Sequence, residues 1–95
     1  MSDILTADLF SPHVGELFQV GDTELSLTLV AVEVDETAQV PYRTPFTLIF
    51  RGPATPWAPE KIWPLRAPDG TVREIYISPI HTPASDRQDY QAVFN

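Results

Sequence analysis

The sequence predicts an all-β domain with a minor helical part: a small six-stranded antiparallel barrel or sandwich preceded by a short helical turn. Three observations carry this. Apolar residues recur with period two in several short segments, the spacing that places alternate side chains on one face of a strand. Ten prolines occur in 95 residues, nine of them between Pro41 and Pro83. Each removes a backbone donor and fixes φ, so the second half has no room for long helices. Finally, 95 residues with 43% hydrophobic and 11% aromatic content make one domain over residues 1–95, apolar enough to offset the ordering of its chain.

The elements follow in order. Thr6 is the expected N-cap of a helical turn over Ala7–Phe10, which Pro12 should end. Glu16–Val20 reads as a short strand, and Gly21-Asp22 as a turn. Glu24–Val34 is the clearest strand. Leu25, Leu27 and Leu29 alternate on one face, then the phase slips and Val30, Val32 and Val34 take over. Such a slip predicts a β-bulge, which bends the strand while keeping its apolar set aimed at one core. Thr44–Arg51 is the next strand, with Phe46, Leu48 and Phe50 on one face and partly apolar residues on the other, as for a strand covered on both sides. Gly52–Pro59 reads as an extended, polyproline-like loop. Lys61–Ala67 is interrupted by Pro64 and is therefore expected at a sheet edge. Pro68-Asp69-Gly70 joins it in a hairpin to Thr71–Ser78. A loop leads to the last strand, Gln88–Phe94, with Tyr90, Ala92 and Phe94 on one face.

Composition narrows the chemistry. There are no cysteines, which removes disulfides and thiolate sites. The net charge of −7 argues against nucleic acid, whose phosphates need a basic footprint. No apolar run is long enough to span a bilayer, so no membrane insertion is expected. The acidic start MSDILTAD is unlike a secretory signal. Synthesis is accordingly expected in the cytoplasm, with later incorporation into a particle or fibre compatible with it. Charge is uneven: residues 1–36 carry eight acids and no Lys or Arg, whereas residues 37–95 carry six bases and five acids. Either acidic strands pair with basic ones within the domain, or Glu33, Asp35 and Glu36 belong to an acidic face turned to a partner.

No catalytic constellation emerges. Ser78, His81, Ser85 and Asp86 share one loop, whereas a working triad draws on separate rigid elements; a solvated loop is expected. His13 and Glu16 lack the companions of a metal site, so His13 is expected to bond backbone at the start of the first strand. The Glu33–Glu36 acids lack the glycine-centred spacing of a calcium loop. No cofactor and no enzymatic activity are expected. Trp63 suits the core, whereas Trp57, between prolines, suits equally a satellite contact or an exposed contact surface.

Four groups of residues carry a resemblance: Phe10-Ser11-Pro12-His13-Val14-Gly15 with Phe18; Pro45 to Pro53, containing Phe46, Phe50, Arg51 and Gly52; Ser78-Pro79-Ile80; and Tyr90 to Asn95, containing Phe94. Together they resemble an uncharacterised family of small bacterial proteins, companions of phage-tail-collar or microcystin-dependent-type fibre proteins. The resemblance implies an assembly or accessory role in a tail-like or surface-fibre system, through contacts with a fibre-type protein or with further copies of the chain. The segment Trp57–Leu65 departs from the family in its richness in proline and tryptophan. Physically, Gly52-Pro53 is expected to end its strand abruptly with a left-handed glycine. Arg51 is expected to grip an internal carboxylate from the acidic first part of the chain, and the final strand to be locked into the sheet. The alternative function is a module that holds a sugar or other small ligand with Trp57, Tyr42 and Tyr76.

Overall fold

A computed structural model of the chain describes residues 6–35 and 45–94. A four-residue helix α1 (Ala7–Phe10) runs into a single 3-10 turn (Ser11–His13), followed by β1 (Leu17–Val20), β2 (Ser26–Val34), β3 (Phe46–Pro53), β4 (Lys61–Arg66), β5 (Val72–Ile80) and β6 (Arg87–Phe94). All ladders are antiparallel, and in the order β1-β2-β3-β6-β5-β4 they close into a barrel. Closure decides between barrel and sandwich, the two readings that the sequence left open.

Thr6 occupies the N-cap in extended backbone, but its side chain makes no capping bond; its carbonyl accepts from Leu9 N–H at 3.1 Å. The α-helix ends at Phe10, ahead of Pro12 as expected, and Pro12 sits in the first positions of a 3-10 continuation that begins at Ser11, where a missing N–H is harmless. Gly15, at φ +93°, swings the chain so that its N–H donates to Leu29 O at 2.6 Å and ties the helical segment to β2. This placement sends Phe10 into one end of the barrel, where its ring lies 6.1 Å from Phe46 and 6.0 Å from Phe94, themselves stacked at 4.6 Å.

The phase slip in β2 is a bulge. Leu29 pairs with Phe50 and Ala31 with Ile49, leaving Val30 as the inserted residue. Leu27 and Leu29 point into the core, completely buried. Beyond the bulge Val32 still packs on the core, while Val34, although paired with Phe46, is exposed. β3 contributes Phe46, Leu48 and Phe50 to the core, and β6 Tyr90 and Ala92. The outer face of β3 is only partly covered, and Arg51 is exposed, because a barrel wall of this size packs on its inside alone.

Two expectations are corrected here. β3 does not end before Gly52: Gly52 and Pro53 stay in the ladder opposite Gln88 and Arg87. Gly52 has no left-handed φ. A Cβ at that position would lie 2.6 Å from Leu27 Cδ2, so the glycine answers a need for space inside the barrel. β4 is not a sheet edge, because it pairs with both β5 and β1. Pro64 is tolerated because the ladder to β1 stops beside it: Gln19 and Val20 pair with Arg66 and Leu65, and Pro64 supplies only its carbonyl, to Gly21 N–H at 2.7 Å. The β4–β5 turn is as expected, with Gly70 at φ +90° and Asp69 Oδ1 accepting from Thr71 N–H at 2.9 Å. The N–H of Thr71, and then its hydroxyl, hold the Asp69 carboxyl below its ordinary pKa.

Candidate functional site

The loop between β3 and β4 is held from below by one buried hydrogen bond: Ala58 N–H donates to the Tyr90 hydroxyl at 3.0 Å. Ala58 and Tyr90 are both buried, and burial raises the Tyr90 phenol pKa while the Ala58 bond opposes the rise. With Ala58 pinned inward, its neighbour Trp57 faces outward, 56% exposed. Trp63 is half-buried against the core, and its indole N–H donates to Pro59 O at 2.9 Å, closing the far end of the same loop.

Between this loop, the β1–β2 turn and the start of β4 lies a cavity of about 260 Å³, lined by Val20, Thr23, Glu24, Leu25, Pro56, Trp57, Ala58 and Trp63. The turn is rigid. The Thr23 hydroxyl donates to Val20 O at 2.6 Å and accepts from Leu25 N–H at 3.1 Å. Glu24 is exposed at the cavity and is the only titratable residue among the described residues of its lining. Lys61 lies over the Trp63 ring, its Nζ 4.1 Å from the centroid.

Of the other described candidate contact residues, none lines this cavity with Trp57. Tyr76 stands on the outer face of β5 opposite Ile62 of β4, and its hydroxyl donates to the Glu60 carboxylate, which raises the Tyr76 pKa. Glu33 and Asp35 are exposed at the far end of β2, beside the start of β3, whereas Trp57 follows the end of β3. Asp35 is positioned by its N–H, which donates to Pro45 O at 2.9 Å. Tyr42 and Glu36 lie outside the described residues.

The remaining expectations have definite outcomes. Arg51 has an internal partner, but from β6: its Nε donates to Asp89 Oδ1 at 3.2 Å, directly across the ladder. Arg87 Nε approaches the same oxygen at 3.5 Å. The acidic first part is not used because register, not net charge, selects the neighbour of Arg51. His13 pairs through Nδ1 with Glu16 Oε1 at 3.0 Å, rather than with backbone, and its ring meets Phe18 edge-on. Among the described residues no three His, Cys, Asp or Glu side chains gather to hold a metal ion, and no helix is long and apolar enough to cross a membrane.

In the β5–β6 connection His81, Ser85 and Asp86 are exposed, and the loop is braced by other residues. The Thr82 hydroxyl donates to Ile80 O and accepts from Asp89 N–H, while Gln88 Nε2 donates to Ile80 O at 2.8 Å. Sequence reasoning missed Thr82 and Gln88, and also Glu24. The Gly21-Asp22 turn signal marked the neighbourhood of Glu24, but nothing local indicated that the turn faces a tryptophan loop some thirty residues away.

The family model for the Domain of unknown function (DUF6916) matches residues 5–94 of the chain. No curated protein and no solved structure matches it.

Proposed function

We propose that this chain, which belongs to the DUF6916 family, is a non-enzymatic interaction module acting through protein–protein contacts, as an assembly or accessory component of a tail-like or surface-fibre system. One observation carries the reading. The outer face of the β4–β5 hairpin presents Ile62 and Tyr76 as cross-strand partners, 59% and 49% exposed, with Pro64 and Val72 further along the same face. Scattered apolar residues on a surface are ordinary, but paired large ones on a rigid hairpin are the material of interface hot spots. The resemblance of the chain to companions of tail-collar fibre proteins makes a fibre-type protein the first partner to test, and a second copy of the chain the next.

The test is light scattering on the purified chain, alone and mixed with a co-expressed fibre-type protein, for the native sequence and for Ile62→Lys and Tyr76→Lys. Both positions are exposed, so both variants should melt as the native protein does. Loss of the complex or oligomer in the variants is the expected result. A native chain that stays monomeric with and without the partner overturns the reading.

A further inference from the structure

We propose that the cavity between the β1–β2 turn and the β3–β4 loop binds a small organic ammonium ion, quaternary or protonated, between Trp57 and Trp63 with Glu24 at its mouth. The walls are two indoles, Pro56, Leu25 and neighbouring apolar groups, so the occupant must offer an apolar surface. Among the described residues the charge in the lining is the carboxylate of Glu24, which repels anions and favours a cation. A sugar needs several side-chain donors and acceptors, yet the Thr23 hydroxyl is already engaged with Val20 O and Leu25 N–H, and the Trp63 N–H with Pro59 O. Among occupants with an apolar surface, the carboxylate favours a greasy cation over a neutral molecule. Indole faces attract such ions through the ring quadrupole, and an alkylated ammonium loses little hydration on entering.

The molecule already uses this chemistry once, since Lys61 Nζ sits 4.1 Å over the Trp63 ring without lining the cavity. At about 260 Å³ the cavity falls just below the range of about 300–1,000 Å³ usual for ligand pockets, which suits a small free molecule. The pinning of Ala58 to Tyr90 and the closed Thr23 turn hold two of its walls ready, so little ordering is required on binding. The cavity lining shares no residue with the Ile62–Tyr76 face, and the proposal stands without the assembly reading.

The experiment is a titration of the full chain, followed by tryptophan fluorescence and calorimetry. The probes are tetramethylammonium, choline, the neutral choline isostere 3,3-dimethylbutan-1-ol, glucose and a lysine-containing peptide. Saturable binding of the two ammonium ions, about tenfold or more tighter than of the neutral isostere, is expected. Trp57→Ala should weaken it by about tenfold or more, and Trp57→Phe by less, because a weaker ring remains. Glu24→Gln should weaken it severalfold and remove its salt dependence. Ile62→Lys and Tyr76→Lys should leave it unchanged, which separates this site from the contact face. Equal binding of the neutral isostere, binding of only glucose or the peptide, or no saturable binding overturns the proposal. Trp57 and Glu24 are exposed, so their variants should fold, and an unchanged thermal melt verifies that loss of binding is local.

Discussion

Two single residues carry more of this structure than their types suggest. Tyr90 fills the core with its ring and satisfies Ala58 N–H with its hydroxyl. Tyr90→Phe keeps the packing but orphans a buried donor, so the expected loss is about 1–3 kcal/mol in a denaturant titration. Burial raises the pKa of this phenol from its ordinary value of 10.0. The neutral form therefore contributes stability that is full below the unfolded pKa and is lost as pH rises toward the folded one. The melting temperature should fall above about pH 10, and less steeply in Tyr90→Phe. Tyr76, raised by its bond to Glu60, remains in that variant and keeps part of the slope. Gly52 is the second such residue. Its backbone is ordinary, but Gly52→Ala drives a methyl against Leu27, which is fully buried and cannot swing aside. Overpacking of this kind costs about 1–3 kcal/mol, measurable as a lower melting temperature.

Among elements, β6 matters most to closure. It runs beside β3 over its whole length, from Phe46↔Phe94 to Pro53↔Arg87, and joins β5 at its other side. Deleting residues 90–95 removes Tyr90 and Phe94 together with the closing ladder. Tyr90 is fully buried and Phe94 partly so; losing a large buried aromatic costs about 3–5 kcal/mol, a large share of the about 5–15 kcal/mol that holds a domain together. The truncated chain should show no cooperative melt by circular dichroism; an unchanged transition would mean that β6 is dispensable. The β2 bulge works in the other direction. By inserting Val30 it lets one strand serve the core on both sides of a bend, so a nine-residue strand turns with the barrel wall instead of passing tangent to it.

At the scale of the whole molecule the barrel is closed but unevenly sewn. β2–β3 and β3–β6 pair along nearly their full lengths, whereas β1 meets β4 only through Gln19↔Arg66 and Val20↔Leu65, and β5 meets β6 only from Ser78 to Ile80. The open part of the β5–β6 seam has Phe10 against Phe94 at one side, with the Arg73 guanidinium 5.7 Å from the Phe10 ring. Local openings follow the weakest seams. Hydrogen exchange should therefore release the amides of β1 and the first half of β5 ahead of those in β2, β3 and β6. Uniform protection around the barrel would contradict this. The cavity under Trp57 adjoins the weak β1–β4 seam through Val20, and bound ammonium should slow exchange there selectively.

What the sequence determined by itself was local. Period-two alternation announced six strands, the slip after Leu29 announced the bulge, and Pro68-Asp69-Gly70 announced a hairpin, because each depends on side chains within a few residues of one another. The His13 expectation failed locally, on Glu16 three residues away, but three others failed for causes outside their own segment. Gly52 is small because of Leu27, Arg51 is paired by its register with Asp89, and Pro64 is tolerated because β1 stops beside it. The candidate site belongs to the same class. Trp57 was legible as an unusual residue, but its companions Glu24 and Trp63, and the exclusion of Tyr76, followed only from the order in which the strands close. Strand pairing is set by the sum of many weak cross-strand contacts and by loop closure, neither of which is written in any one segment. Tertiary structure alone therefore brought the β1–β2 turn, with its carboxylate, against the two indoles.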